Sequence, residues 1–411
     1  MGRRTDDFRV LTPPGGRRRA SGRWDVGAIV VGGDFQGLGI VRSLGRHGIP
    51  VCVIDDERSI SRFSRYTTYA ARVPTLRDDD STIRALEAAV DRFGLEGWVV
   101  FPTRDETVAA LSRHAESLRR LLRIPTADWQ AVQVAWDKRN LYRVASELGV
   151  PAPRSWSLTE DGELTADDVR FPVAIKPAIK EHFIYATKAK AWRANDASEL
   201  ARRIAEAKRF LDPRELIIQD LVPGDGRQQY AYCAFFRAGR AVASMVVRRR
   251  RQHPPEFGRA STFVETVESP TLQTVSEKLL RAIDYYGLVE LEYKLDPRDG
   301  VHRLLDFNAR TWGYHSIGYG AGVDFPFIVF RDQLGLPLDE YRARPGVKWI
   351  RLTTDVPTAL VELKAGRLEW PAYLRTVFGG FDVEAVFSRT DPLPGLAEIA
   401  LVPYLIRQRG F

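Results

Sequence analysis

Short apolar runs and helix-period stretches alternate in the first part of the chain. Residues 26–31 are an apolar run and 32–39 a glycine-rich turn. Residues 40–47 have a helical pattern ended by Gly48, and 50–54 are a second apolar run closed by Asp55 and Asp56. Apolar runs joined by helical patterns predict a β-α-β unit, and hence a parallel sheet. An amphipathic helix at 82–93, a strand at 98–101 and a helix through about Arg120 complete an α/β domain over 26–124.

Beyond residue 125 the pattern becomes α+β. A helix at 140–148 stops at Gly149, with Pro151 and Pro153 following. Residues 171–177 form a strand that carries one lysine, Lys176, into an apolar setting, which is costly unless the lysine meets an anion. Helices at 197–210 and 272–285 bracket strands at 216–222, 230–236, 241–250 and 262–267. Residues 287–313 then read as two strands around a turn containing Asp299-Gly300, a strong hairpin signal. Side chains alternate faces along a strand. Glu290 and Glu292 therefore share one face of the first strand, and Asp306, Asn308 and Arg310 share one face of the second where it stays extended that far. Folding the hairpin brings oxygen ligands together beside a guanidinium. Mg²⁺ is commonly held by one or two carboxylates plus substrate phosphates. A solvated carboxylate face is the alternative, but Leu288, Val289, Leu291, Leu304, Leu305 and Phe307 mark these strands as buried.

Composition narrows the picture. A chain of 411 residues with 44% hydrophobic content suits two or three domains. No run approaches the roughly 18 apolar residues of a membrane span. Residues 1–25 read as a flexible basic tail without the apolar region of a signal peptide. Cys52 and Cys233 lie far apart with no metal spacing, which fits small core residues in a reducing cytoplasm. The net charge of +8 raises nucleic-acid binding, but no recognition motif accompanies it. The run from Arg248 to Arg251 lies in a strand near the carboxylates and suits an anionic substrate, with Arg249 and Arg251 on one face. Gly33, Gly37 and Gly39 lack the Gly-x-Gly-x-x-Gly order of a dinucleotide fingerprint. Their turn reads as one that presents N–H groups to an anion.

Taken in order, Asp137-Lys138, Val173-Ala174-Ile175-Lys176-Pro177, Ile218-Gln219-Asp220-Leu221-Val222-Pro223-Gly224, Glu292 and Asp306-Phe307-Asn308-Ala309-Arg310 resemble the ATP-grasp superfamily over roughly residues 26–335. Residues 41–51, Lys176-Pro177-Ala178, Arg249-Arg250-Arg251-Gln252 and Trp312-Gly313 are similar to its carboxylate–amine ligase branch. The resemblance implies α/β and α+β architecture. A Rossmann-like pre-ATP-grasp domain at 26–124 precedes an ATP-grasp domain of two α+β subdomains at 125–335, with a C-terminal extension at 336–411. It implies ATP with Mg²⁺, Mn²⁺ being an alternative. Lys138 and Lys176 would contact ATP phosphates, joined by Lys180 and Lys188, with His182 and Lys190 nearby. Gln219, Asp220, Leu221 and Val222 would meet adenine, mostly through backbone, and Asp225 and Gln228 the ribose. Glu292, Asp306 and Asn308 would hold the metal. Glu290 would support them or pair with a cation. Arg310 and Lys176 would be catalytic, and Arg249, Arg251 and Arg310 would contact substrate.

The activity implied is ligation of a carboxylate to an amine through an acylphosphate, with release of ADP and phosphate. Activation for another acceptor, biotin-carboxylase-like chemistry and a nucleotide-binding regulator are the alternatives. Substrates would be small-molecule or cell-envelope-precursor carboxylates and amines. Nucleic acid and a transmembrane segment are not expected, a homodimer is left open, and the location is cytoplasmic. The sequence departs from the family pattern at Asp306 and Asp220, where glutamate is usual, and at Ala309, where proline is usual. No glycine follows in the phosphate-covering segment after Lys176, so side chains take the place of backbone amides. Tyr314 and His315 read equally as packing residues or substrate contacts. The extension reads as packing, an oligomer contact or a membrane-surface helix.

Overall fold

A computed structural model of the chain describes residues 8–12, 24–164, 168–187, 189–254, 257–258 and 260–409. The first sheet has five strands, in the order Arg9–Leu11, Thr67–Arg72, Val51–Asp55, Ala28–Val31 and Val99–Pro102. Neighbours run parallel except at the Arg9–Leu11 edge. That edge strand corrects part of the expected flexible tail: Arg9, Val10 and Leu11 pair with Arg72, Ala71 and Ala70. The rest of that tail lies largely outside the described residues. Asp34 starts the helix Phe35–Arg46 by accepting from the Gln36 amide, and left-handed Gly94 ends the helix Asp79–Phe93. Strand order reverses between Ala28–Val31 and Val99–Pro102. The loops after these two strands therefore form the crevice in which open α/β sheets bind ligands.

A smaller antiparallel sheet follows, ordered Ser155–Ser157, Leu216–Asp220, Val173–Pro177 and Trp192–Ala194. Its apolar face packs on Phe183 and on Leu200 and Ile204 of the helix Ala197–Ala207. The segment after Lys176 contains the helix Lys180–Thr187.

The largest sheet has eight strands. Its main path runs His302–Asn308, Gly287–Leu295, Gln229–Arg237, Arg240–His253, Ala260–Val267, Lys348–Ile350 and Val383–Glu384, and Tyr341–Arg342 pairs with Arg240–His253. Residues 336–411 thus supply three strands to this sheet. Trp349 is fully buried in its core beside Val264 and Tyr314. The extension also reaches back to the first domain. Arg42 donates from Nε to Asp391 at 2.9 Å and caps the carbonyls of Val386 and Asp391 at 2.8 and 2.9 Å. Asp391 also accepts from the Ser64 hydroxyl and the Arg65 amide. Among the described residues no helix is long and apolar enough to cross a membrane.

Candidate active site

The hairpin forms as its alternation requires. Glu290 lies opposite Asn308 and Glu292 opposite Asp306, and the register shifts just after Glu292. Asn308 donates to Glu290 at 2.9 Å and to Glu292 at 3.4 Å. The Tyr314 hydroxyl donates to the other oxygen of Glu290. Glu290, Asp306 and Asn308 are buried.

Cations from several elements converge on these groups. Lys138 opens the helix Lys138–Glu147 and donates to Asp306 Oδ1. Lys190 sits 3.4 Å from Glu292 and 3.5 Å from Asp306. Arg249 lies 3.7 Å from Glu292. Lys180 donates to Asn308 Oδ1 at 3.2 Å and reaches Asp105 Oδ2 at 2.5 Å. Arg310 Nε donates to Asp105 Oδ1 at 2.9 Å.

Burial would keep such carboxylates protonated, and neighbouring charge decides otherwise. Burial raises Asp306, but Lys138, Lys190 and Lys180 outweigh it and hold the carboxyl well below its ordinary range. Burial also raises Glu292, and Lys190 and Arg249 bring it below its usual value. Glu290 goes the other way, to about 7, through burial and the repulsion of Glu292. Asp306 Oδ2 is buried and accepts no hydrogen bond among the described residues, and Lys190 lies 3.5 Å from it.

A cavity of about 550 Å³ lies between the smaller antiparallel sheet and the largest sheet. Lys176, Gln219, Asp220, Leu221, Val222 and Asp225 all line it. Lys176 donates to Gln219 Oε1 at 2.6 Å, and Gln219 donates to the Ser155 hydroxyl at 2.8 Å. The Gln219 side chain therefore aims Lys176. Burial and the charge of Lys138 push the Lys176 amine down to about 7.

Most of the expected site residues come together here, Arg251 and Gln228 being different among those described. Arg251 is held by Asp355 through two bonds of 2.9 Å, away from the carboxylates. A bulge is the reason: strand pairing jumps from Arg249–Val264 to Arg251–Phe263, so Arg250 is extra and the alternation breaks. Gln228 accepts from the Asp225 amide in a capping box that closes the Gly226–Gln228 turn, which occupies the Gln228 side chain locally while Asp225 stays in the cavity wall. Lys188 and the side chain of His182 lie outside the described residues. His315 is buried, its Nδ1 bonded to the Trp312 carbonyl at 3.0 Å, and is a packing residue against Gly39. Asp105 escaped sequence reasoning. Its position at the end of Val99–Pro102, in the strand-order crevice, is the signal that marks it. Arg154, Arg170, Arg193, Lys294 and Arg298 in the cavity wall were missed as well.

No family model matches the chain. An L-amino acid ligase from Bacillus licheniformis superposes with a TM-score of 0.61 at 14% identity, over 80% of this chain and 79% of that one. The biotin carboxylase domain of a 2-oxoglutarate carboxylase from Hydrogenobacter thermophilus, in complex with MgADP, ADP and bicarbonate, gives 0.61 at 16% identity, over 78% and 73%. With a Rossmann-like domain, a small lid sheet and a large sheet in this order, the chain has the fold of the ATP-grasp ligases. In sequence it is similar to the D-aspartate ligase of Enterococcus faecium (strain Aus0004), 24% identical over 298 residues, or 69% of this chain and 70% of that enzyme.

Proposed function

We propose that this chain is an ATP-dependent ligase that joins a carboxylate to an amine through an acylphosphate, releasing ADP and phosphate. One observation carries the reading. Half-buried Glu292 and buried Asp306 and Asn308 face Lys138, Lys180, Lys190, Arg249 and Arg310, beside a cavity walled by Lys176 and residues 219–222. Phosphoryl transfer needs mainly positioning and neutralisation of charge on the transferred group. Lys176, Lys180 and Lys190 can bind phosphate oxygens, and the planar Arg310 fork suits the moving phosphoryl group. The substrate carboxylate is ionised at neutral pH and needs no base. Its oxygen bonds to the γ-phosphorus as the bond to ADP breaks. The amine then bonds to the acyl carbon, and phosphate leaves with the electron pair.

A divalent metal fits the same residues. Asp306 Oδ2 is a buried oxygen without a hydrogen bond. Among the described residues no three His, Cys, Asp or Glu side chains group as a metal site. Two carboxylates and an amide leave positions for phosphate oxygens, the preference of Mg²⁺, and Mn²⁺ accepts similar oxygen ligands. Glu292, Asp306 and Asn308 would hold this ion, which supplies further neutralisation of phosphate charge when bound.

The relative's name makes an amino-acid carboxylate the first donor class to test. Purified protein would be incubated with Mg-ATP, hydroxylamine and each amino acid in both enantiomers. Hydroxamate equal in amount to the ADP formed is expected with at least one acid. Nucleotide binding without hydroxamate or ADP from any acid would sink the ligase reading in favour of a regulatory one.

A further inference from the structure

We propose that Asp105 receives the ammonium group of the acceptor amine and takes its proton, an inference that rests on the ligase reading above. Asp105 belongs to the first domain, where it opens the helix Asp105–Arg113 directly after the strand Val99–Pro102. Its side chain is 18% exposed and spans two cations of the ATP-grasp domain, Lys180 at 2.5 Å and Arg310 at 2.9 Å. Lys180 and Arg310 also reach Asn308 Oδ1, at 3.2 and 3.5 Å, so both stand between Asp105 and the carboxylate cluster.

These cations have a stronger suitor when nucleotide binds. Attraction scales with charge, and a polyphosphate carries several charges against one on Asp105. Once Lys180 and Arg310 turn to phosphate, Asp105 is a largely buried carboxylate in want of a cation. An amine reaches the site as its ammonium, which is such a cation. Asp105 stands one hydrogen bond from Arg310, the group assigned to the phosphoryl oxygens, so an amine on Asp105 lies beside the acyl carbon.

The other carboxylates of the crevice are engaged. Asp55 and Asp56 hold Arg104 at 2.9 and 2.6 Å, and Glu106 accepts from the Tyr185 hydroxyl. The step balances. The ammonium passes one proton to Asp105, and the freed lone pair forms the C–N bond. The C–O bond to phosphate breaks, and phosphate leaves with its electron pair and with the second nitrogen proton. Asp105 later returns its proton to solvent.

The test separates acyl activation from amine transfer. Hydroxylamine is a weak base, unprotonated at neutral pH, and needs no deprotonation. Wild type, Asp105→Asn and Asp105→Glu would each be given Mg-ATP and the amino-acid donor found active in the hydroxamate screen. Each would then receive either hydroxylamine or a panel of primary amines that includes the amino acids themselves. Asp105→Asn is expected to lose about 100-fold in amine-dependent product, within the range of general-base contributions, and to lose less than about fivefold in hydroxamate. Asp105→Glu should recover part of the amine reaction. Equal loss of both products would overturn the proposal and make Asp105 a positioning residue for Arg310. Retention of both would overturn it outright. A wild-type protein that forms no hydroxamate would remove the ligase reading, and this proposal with it.

Discussion

Lys176 gives the most direct handle on nucleotide binding. Its half-buried amine is crowded by protein and by cations, with Lys138 the strongest neighbour, and is pushed down to about 7 from 10.5. Nucleotide phosphates on Lys176 would restore the charged form, so binding should take up protons. With a folded value of about 7, simple titration gives uptake of about 0.9 proton at pH 8, about 0.5 at pH 7 and about 0.1 at pH 6. Calorimetry in buffers of differing ionisation enthalpy reads this number. Subtracting the profile of Lys176→Met removes the titration of the nucleotide itself. The same shift makes a stability claim. The unfolded chain holds this proton up to about 10.5 and the folded chain only to about 7, so more protons are bound unfolded across that window. The penalty of burying the charge is therefore present below pH 7, and the contribution of Lys176 to nucleotide-free stability rises with pH between those values. Uptake below 0.2 proton at pH 8, or equal uptake by the Met variant, would refute the assignment of Lys176 to phosphate.

Asp306→Asn should reduce turnover more than 100-fold while altering nucleotide affinity far less; near-normal turnover would sink the metal assignment. Arg42→Met leaves Asp391 buried without its guanidinium and should destabilise the fold by about 3 kcal/mol, read as a lower denaturation midpoint. No change in that midpoint would mean the extension is held by packing alone. Lys190→Met should weaken nucleotide binding at nearly unchanged stability, whereas Lys138→Met should lower stability first; the reverse order in paired calorimetry and denaturation curves would be a refutation.

The hairpin was legible in the sequence because strand alternation is local. Glu290, Glu292, Asp306 and Asn308 needed only a turn at Asp299-Gly300 to meet, and the register pairs them as alternation requires. Lys176 was legible as a lone charge in an apolar strand. The bulge at Arg250 was not, because an extra residue leaves no mark in composition, and the pairing of Arg251 with Asp355 went unread for that reason. The partnership of Asp105 with Arg310 spans 205 residues, and nothing local to either one announces it. The extension was hard to read because its strands are two or three residues long and borrow their stability from the large sheet.

The ion pairs of the site differ in how readily they can yield to a nucleotide. Lys138 and Asp306 are almost fully enclosed, at 7% and 4% exposure. Separating a buried pair typically costs about 3–5 kcal/mol, because each charge is left without water. Lys190 with Glu292 is more open, at 25% and 12%, as is Lys180 with Asp105, at 17% and 18%. Pairs nearer solvent are held by less, toward the exposed-pair range of about 0–1 kcal/mol. An arriving phosphate therefore draws Lys180 and Lys190 before it draws Lys138. On this ordering Lys138, expected from its motif to contact phosphate, also serves as the support that keeps Asp306 ionised. Under the proposed ligase reading the phosphates would then fall to Lys176, Lys180, Lys190 and Arg310, and Asp105 would be the carboxylate that loses its partners first.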